Sequence, residues 1–357
     1  MGGDPRPLAG VRVIEIGGGV SAAFCSHLLA GHGARVVRVE GPGDSVLDPH
    51  QATYLTAGTS GVIEGTAALD ELVGRADVVV DTRPPGSHTG PDSMALWEKR
   101  PELVVTSITP FGLSGPHAGH QATNIVSFAA GGIMALTGDA DRPPLQTGGD
   151  QAHMLGGLHA FSATTAALFG ALVHGRGDHI EISLQEAAAS MLELYAAMWE
   201  YDGELAERMG NSVRAEWGVY PVADGYAGVC CLGRQIPALL DLLDTDDLDE
   251  QFLDTTYRRE HNDELLAHLL GFMADRTKDE LVALSPTHRI PFGAVLTPTE
   301  LLADEGLARR GFFDTVSFEG TEVRVPGRLV PGLAWERPSH APARPVRDIL
   351  AEWGSAR

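Results

Sequence analysis

Residues 10–44 contain the pattern that most restricts how this chain can fold. They read GVRVIEIGGG, then VSAAFCSHLLAGHG, then ARVVRVEGPGD. The first and last parts are short apolar runs typical of buried strands, whereas the middle part has apolar residues at helical spacing and ends at Gly33. A strand, a glycine turn, a helix and a second strand predict two parallel strands joined by a crossover. We therefore expect a Rossmann-like α/β sheet that binds ligands beyond the carboxyl ends of its strands.

The rest of the chain extends this sheet and then becomes mainly helical. Two more strands that end in Pro/Gly loops are predicted in ADVVVDTRPPG at 76–86 and PELVVTSITPFG at 101–112. A long apolar helix rich in small residues is predicted over 151–175, and a strand is predicted in DHIEIS after it. Further on, VYPVADGYAGVCCLG predicts a hairpin, and an acidic helical segment follows it.

Composition excludes several classes of function. The chain has 357 residues and a formal net charge of −22, so its surface would repel a nucleic-acid backbone. It has no run of eighteen apolar residues, which predicts no membrane span, and its polar start predicts no signal peptide. Cys25, Cys230 and Cys231 are too few and too badly spaced for a disulfide framework or a zinc site, so we expect no metal and a cytoplasmic protein.

Several segments, taken in order, resemble the class III CoA-transferases. This is the CaiB/BaiF family, which includes formyl-CoA transferase-like enzymes and α-methylacyl-CoA racemases. The resemblance covers nearly the whole chain and is carried by residues 8–44, ADVVVDTRPPG, SITPFGLSGPHAG, GRGDHIEISLQEAA, YPVADGYAGV, GAVLTPTELLADEGLARRGFF and PVRDILAEWG.

The resemblance implies an architecture and a substrate. The large α/β domain would be built from both ends of the chain, over residues 1–200 and 306–357, with a smaller central α+β domain over 201–305. Two subunits would interlock as a homodimer, or as a heterodimer with an active homologue. The substrate would be an acyl-CoA or a related thioester. Transferase members use an aspartate that forms an acyl-enzyme anhydride, and racemase members use an aspartate and a histidine to move the α-proton.

Coenzyme A contacts are expected at four places on the strand ends and helix starts. Gly18, Gly19 and Val20 would bring backbone N–H groups close to a phosphate or pantetheine chain at a helix N-terminus. A cation at the end of a strand can bind adenine or phosphate. The remaining expected contacts are Arg38, Thr82, Arg83 and Asn124.

The catalytic position departs from the family pattern. Counting back without gaps from GRGDHIEISL places His153 where the resemblance implies the aspartate, and Thr123 where it implies the partner histidine of the racemases. His153 could serve as a base, an acid or an acyl-imidazole nucleophile, because imidazole titrates near neutrality. Asp150, at the start of the same helix, could replace the aspartate or act as a helix N-cap. Thr123 could hydrogen-bond an enolate or carbonyl oxygen.

The loop after the second predicted strand departs from the family as well. A basic residue usually follows there, whereas this chain has GPGDSVLDP, without a cation. Fewer cations predict weaker recognition of the CoA phosphates. Three functions therefore remain open at this point. They are acyl transfer with His153 in place of the aspartate, racemase- or isomerase-like proton transfer, and a non-catalytic subunit that partners an active homologue.

Overall fold

The computed structural model describes most of the chain and divides it into two compact units. The described residues are 6–41, 44, 47–65, 69–87, 90–318, 320–330, 332–336 and 344–354. The expectations drawn from the first residues and from the loop GPGDSVLDP fall partly on 1–5, 42, 43, 45 and 46, which lie outside the described residues. The larger unit comprises Met1–Met134, Gln146–Leu205 and Glu305–Arg357, and the smaller comprises Ala135–Leu145 and Ala206–Asp304.

A parallel sheet forms the centre of the larger unit. Among the described residues its six strands are β1 (Arg12–Ile16), β2 (Arg35–Glu40), β3 (Thr59–Glu64), β4 (Val78–Asp81), β5 (Val104–Thr109) and β6 (His179–Ser183). Their order is β3-β2-β1-β4-β5-β6, and each neighbouring pair is parallel. The order reverses between β1 and β4, which is the switch point where open α/β sheets bind ligands. The Rossmann-like sheet predicted from the sequence is confirmed.

Helices cover both faces of this sheet. They are α1 (Gly19–Gly31), α2 (Pro49–Leu55), α3 (Leu69–Val73), α4 (Ser93–Lys99), α5 (Asn124–Ala130), α6 (Gln151–His174), α7 (Leu184–Ala189) and α8 (Glu193–Asp202). Helix α6 packs very closely on α1, since a Cβ on Gly157 would lie 2.6 Å from the carbonyl oxygen of Ser21. This contact sets how closely the N-terminal part of α6 approaches α1.

The smaller unit has an antiparallel sheet and its own helices. In the described part of the chain the sheet order is β10-β9-β8-β7. The elements are β7 (Ser212–Arg214), β8 (Trp217–Val222), β9 (Gly225–Cys230), α9 (Ile236–Leu243), α10 (Thr255–Glu260), α11 (Asn262–Ala274), α12 (Lys278–His288), β10 (Phe292–Ala294) and α13 (Pro298–Ala303). Its core includes Leu239, Leu269, Met273 and Leu281, all fully buried. This composition matches the expected central α+β domain.

The chain then returns to the larger unit and completes its core. The returning elements are α14 (Glu305–Arg309), β11 (Phe313–Phe318), β12 (Thr321–Pro326) and α15 (Val346–Trp353). Ile349, Leu350 and Trp353 of α15 are buried in one cluster with Ile14 and Val37 of the central strands. Both ends of the chain therefore build one hydrophobic core, which confirms the fold class expected from the family resemblance.

Two features of the fold differ from the expectations. Strand β3 was not predicted, because its sequence TSGVIE is short and lacks a clean apolar alternation. In addition, residues Ala135–Leu145 group with the smaller unit and not with the large one. Their backbone explains this, because Gly210 donates to the carbonyl of Gly138 at 3.0 Å and Arg208 donates to the carbonyl of Asp139 at 3.1 Å.

Helix α6 satisfies the length and composition of a membrane span, which the sequence did not lead us to expect. It has 24 residues, and an 18-residue window within it has a mean hydropathy of 1.3. Its buried residues, which include Ala160, Thr164, Ala167 and Leu168, pack into the larger unit with residues of β1, β4 and β5. Length and apolar composition alone do not separate a core helix from a span, and 33% of the apolar window is buried by the larger unit.

Candidate active site

Three consecutive glycines turn the chain from β1 into α1. Gly17, Gly18 and Gly19 have φ angles of 88°, 67° and 82°, a region that side chains rarely adopt. A Cβ on Gly17 would also lie 2.7 Å from Oγ1 of Thr82. The turn therefore depends on glycine for its backbone angles and for this close approach, and it leaves the N–H groups of the start of α1 beyond the strand end. Val20, the next residue, is buried.

Thr82 holds this turn in place. Its Oγ1 donates to the carbonyl of Gly18 at 2.8 Å and lies 3.2 Å from the carbonyl of Ile16. The end of β4 is thereby tied to the glycine turn across the switch point of the sheet. The expected contact of Thr82 with a ligand remains a prediction, and the structure adds a positioning role for it.

Arg83 is buried and engaged with a carboxylate. Its Nε and Nη2 donate to Oδ1 and Oδ2 of Asp81 at 3.0 and 2.6 Å, and Nη2 also donates to the carbonyl of Pro91 at 2.8 Å. This is the bidentate geometry of a strong charge-assisted pair. The pair lies beside a cavity of about 230 Å³ that Ser107 and His179 also line. Arg83 was predicted to bind coenzyme A through its positive charge, and Asp81 neutralises that charge in the structure.

Arg38 is likewise paired with carboxylates. Its Nε lies 3.2 Å from Oε1 of Glu15, and its Nη2 lies 3.5 Å from Oε1 of Glu40. Glu15 is 1% exposed, and burial raises the pKa of its carboxyl while the charge of Arg38 opposes that shift. The three side chains line one cavity of about 260 Å³ at the carboxyl ends of β1 and β2.

Asn124 caps the start of α6. Its Oδ1 accepts from the backbone N–H groups of Ala152 at 3.0 Å and His153 at 3.3 Å, and its Nδ2 donates to the carbonyl of Gly149 at 3.2 Å. The amide is thus occupied by the chain itself, whereas the sequence suggested a ligand contact. Thr123 is the N-cap residue of α5, and its side chain makes no capping bond in the described part of the chain.

Asp150 and His153 occupy the first turn of α6. Asp150 is at the N-cap position, but among the described residues its carboxylate makes no capping bond and instead accepts from Nε2 of Gln51 in α2. His153 is half-buried, and its Nε2 is buried without a hydrogen-bond partner in the described part of the chain. Burial lowers the pKa of His153, and the nearby charge of Asp150 opposes that shift. Burial therefore favours the neutral form of the imidazole.

The structure thus groups the expected residues into two sets. One set, at the entry to α6, contains Asn124, Asp150 and His153, and the other, at the strand ends, contains Gly18 and Thr82. Sequence reasoning missed Gln51, Glu15 and Asp81, which bind Asp150, Arg38 and Arg83. The pairing of Asp81 with Arg83 could have been predicted, because Asp81 ends a predicted strand and precedes Arg83 by two residues. The other two pairs join residues distant in sequence.

Comparison with known proteins identifies the family to which this fold belongs. The sequence model of CoA-transferase family III matches residues 8–63 and 61–346. The succinate–glutarate CoA-transferase of Agrobacterium fabrum is 27% identical over 384 aligned residues, covering 97% of this chain and 95% of that protein. The succinyl-CoA–D-citramalate CoA-transferase of Chloroflexus aurantiacus is 28% identical and covers 84% of this chain and 81% of the relative.

A solved structure agrees with the sequence comparisons. The crystal structure of a CaiB/BaiF family protein from Brucella suis is 26% identical, with a TM-score of 0.83, and the match covers 98% of this chain and 100% of that one. The fold of that family is therefore present over 98% of this chain. This chain belongs to CoA-transferase family III.

Proposed function

We propose that this protein is a class III CoA-transferase-like enzyme that moves coenzyme A from an acyl-CoA donor to a carboxylic acid, with His153 as its nucleophile. The observation that carries the proposal is the half-buried imidazole of His153 in the first turn of α6, whose Nε2 has no hydrogen-bond partner among the described residues and which stands where the family resemblance implies an aspartate. Support also comes from the relatives, whose names describe transfer between dicarboxylic acids such as succinate and glutarate.

The chemistry needs only a neutral imidazole and the two substrates. A ring nitrogen of His153 attacks the thioester carbonyl, which forms a C–N bond, breaks the C–S bond and gives an acyl-imidazole and CoA thiolate. The acceptor carboxylate then attacks the acyl carbon and releases His153, leaving a mixed anhydride of the two acids. The retained thiolate attacks the acceptor carbonyl of that anhydride, so the acceptor leaves as a thioester and the donor leaves as a carboxylate.

Neighbouring groups suit this role for His153. The imidazole becomes positively charged when it is acylated, and the carboxylate of Asp150, held by Gln51, is the acidic group that opposes the lowering of its pKa. Asn124 fixes the backbone of the same turn through two N–H groups. A nucleophile with its backbone held on a helix is positioned more precisely than one on a loop.

The unpartnered Nε2 of His153 also supports a functional role. A buried polar atom without a hydrogen bond costs about 1–3 kcal/mol, so native proteins rarely keep one without a reason. A substrate or a second subunit would supply the missing partner. We place the enzyme in the cytoplasm and expect it to act as an interlocked homodimer on an acyl-CoA.

Two other functions have support of their own. Proton transfer at the α-carbon, as in the racemases, would use the same neutral imidazole as a base. A non-catalytic subunit is favoured by Arg38 and Arg83, because both are neutralised by carboxylates of the chain. Such a subunit would contribute to a dimer in which an active homologue binds the thioester.

The test compares four proteins in transfer of CoA from succinyl-CoA or acetyl-CoA to a panel of dicarboxylic acids. They are the wild type and the variants His153→Gln, His153→Ala and His153→Asp. We expect the wild type to transfer CoA and the Gln and Ala variants to lose at least about 100-fold in rate. His153→Asp should retain transfer through an aspartyl anhydride.

The outcomes separate the three functions. Equal rates for wild type and His153→Gln would overturn the role of His153. A wild type without transfer that exchanges the substrate α-proton with deuterated solvent would identify the racemase-like function. A wild type inactive in both assays, together with an active His153→Asp variant, would identify a scaffold that has lost its catalytic group.

A further inference from the structure

The segment between α5 and α6 contains a closed surface loop. The backbone N–H of Leu145 donates to the carbonyl of Thr137 at 2.9 Å, so the two ends of loop 137–145 meet. Residues 141–149, which include the second half of this loop, are all exposed. Compact surface loops whose ends lie close together are frequently functional.

One side chain from another part of the chain binds this loop. The Nε and both terminal nitrogens of Arg208 donate to backbone carbonyls, at 3.1 Å for Asp139, 3.3 Å for Ala135, 3.4 Å for Ala140 and 3.1 Å for Arg142. A guanidinium carries five N–H groups in a fixed plane, so it can serve several carbonyls at once, whereas a lysine ammonium cannot reproduce that arrangement. Arg208 therefore anchors the loop.

The backbone next to Arg208 adds to this anchor. The N–H of Gly210 donates to the carbonyl of Gly138 at 3.0 Å. A Cβ on Gly210 would lie 2.6 Å from Oδ1 of Asp139, and the φ of Gly210 is 63°, so this close approach requires glycine. Residues 208–210 thus bind the loop through a side chain and through the backbone.

The loop leads directly into the turn that carries His153. Four residues, 146–149, separate the end of the loop from Asp150, and all four are exposed. Arg208 and the loop belong to the smaller unit and His153 to the larger one, so the link between them is the chain itself. Beyond this link, Asn124 binds backbone groups on both sides of Asp150. The short connection is therefore fixed at both ends, which limits the conformations open to it.

We propose that Arg208 is a positioning residue for the reaction at His153. By fixing loop 137–145 it restrains the connection 146–149, and this keeps the first turn of α6 and its imidazole in the arrangement that attack on the thioester requires. The proposal rests on the proposed function, because it assigns a residue that supports the nucleophile. A displacement of about 1 Å at a reacting group can cost about 100-fold in rate, so the loss of a distant anchor is measurable.

The kinetic test compares Arg208→Ala and Arg208→Lys with the wild type in transfer of CoA from succinyl-CoA. We expect kcat to fall about 10- to 100-fold in Arg208→Ala while KM for the thioester stays within about threefold, because the nucleophile is displaced and the binding of CoA is not. Arg208→Lys should recover little, since an ammonium cannot span the four carbonyls.

Methylguanidinium at millimolar concentration should restore part of the rate of Arg208→Ala, because it supplies the missing donors to the same carbonyls. The matched control is Arg259→Ala, which removes an exposed arginine from α10 in the same unit. This control should keep the kcat of the wild type and should not respond to methylguanidinium.

Hydrogen exchange followed by mass spectrometry tests the anchor without relying on activity. In Arg208→Ala the amides of 137–149 and of the first turn of α6 should exchange at least about tenfold faster than in the wild type, whereas the hairpin of β8 and β9 should exchange at the same rate. If Arg208→Ala also loses protection in that hairpin, Arg208→Lys carries the test, because it keeps the positive charge and a long side chain.

Faster exchange that stays confined to 137–149, or an unchanged kcat in Arg208→Ala, would overturn the proposal. A fall in kcat that methylguanidinium does not restore, together with lost protection throughout the smaller unit in both variants, would assign Arg208 a purely structural role. The two proposals can fail separately. A wild type without transfer, combined with faster exchange through the first turn of α6 in the variant, refutes only the catalytic function and leaves the anchor in place.

Discussion

At the scale of single residues, one amide side chain organises the candidate site. The Oδ1 of Asn124 accepts from two N–H groups at the start of α6, which are the backbone groups that a helix start otherwise leaves unsatisfied. Its Nδ2 also donates to the carbonyl of Gly149, just before the helix. The cap comes from another helix and not from Asp150, which stands at the N-cap position itself. The carboxylate of Asp150 is therefore available to Gln51.

Removing this cap should destabilise the protein measurably. We expect Asn124→Ala to lower the free energy of unfolding by about 1–2 kcal/mol, because two backbone donors lose their acceptor. Thr123→Ala is the matched control one residue away, and it should change stability by less than about 0.5 kcal/mol since its side chain makes no capping bond in the described chain. Urea unfolding curves measure both, and equal losses would contradict the capping role.

His27 should make stability depend on pH. It is 2% exposed, its Nδ1 lies 3.0 Å from the carbonyl of Ala57, and burial lowers its pKa from 6.5 to about 4. Between these pH values the unfolded chain binds the proton more readily than the folded one, so stability falls as the pH falls from about 6.5 to about 4. The full contribution is roughly 3 kcal/mol at 1.36 kcal/mol per unit.

Urea unfolding at pH 7, 5.5 and 4.5 checks this prediction. The wild type should lose more stability on acidification than His27→Asn, which removes the titrating ring while keeping a donor for the carbonyl of Ala57. His50→Asn, at an exposed position on α2, serves as the control and should follow the wild type. Identical pH dependence of wild type and His27→Asn would show that His27 is not the group responsible.

At the scale of elements, α6 uses its small residues in two different ways. Gly157 lies against the backbone of α1, where a Cβ would meet the carbonyl oxygen of Ser21 at 2.6 Å. Gly170, in the same helix, has nothing within 4 Å of a Cβ position. The first glycine is required by packing, whereas the second costs helix stability without a compensating contact.

Alanine at these two positions should therefore have opposite effects. Gly157→Ala should destabilise by about 1–3 kcal/mol, because the neighbouring carbonyl belongs to a backbone that cannot move freely. Gly170→Ala should stabilise by about 0.5–1 kcal/mol through helix propensity. Thermal unfolding of the two variants measures both effects. Stabilisation by both substitutions would contradict the close contact of Gly157 with the carbonyl of Ser21.

The sequence predicted the helices and strands better than it predicted the contacts between residues that are distant in sequence. The β1-α1-β2 unit followed from apolar spacing and Gly33, and the parallel sheet followed from that unit. Strand β3 was missed because Ile63 is the one described residue of this strand in the core cluster, and the strand forms by pairing with β2. The ion pairs of Arg38 with Glu15 and the hydrogen bond of Gln51 to Asp150 join distant residues, so only the folded chain shows them.

At the scale of the whole molecule, an apolar face on α6 predicts self-association. Phe169, Leu172 and Val173 are 69%, 84% and 57% exposed on the last turns of a helix whose other face is buried. Monomeric proteins rarely expose such neighbouring apolar side chains without a partner. The family resemblance implies an interlocked dimer, and this face is our candidate for part of its interface.

Light scattering of the purified protein tests the dimer. We expect the wild type to have twice the mass of one chain, and Leu172→Lys to shift the population toward the monomer by placing a charge in an apolar contact. Val282→Lys, which adds the same charge to an exposed apolar position on α12, should leave the mass unchanged. A monomeric wild type, or a Leu172→Lys variant that remains fully dimeric, would remove α6 from the interface.

The burial of α15 against the central strands has a consequence for synthesis on the ribosome. Strand β2 ends at Glu40 and α15 begins at Val346, so Ile14 and Val37 gain Ile349 and Trp353 as neighbours only after the intervening chain has left the exit tunnel. The smaller unit, which is nearly continuous in sequence, can assemble within that interval. Nascent chains stalled before residue 346 should therefore contain a folded smaller unit and a parallel sheet whose apolar face lacks α15, and chaperones that bind exposed apolar surfaces should retain them.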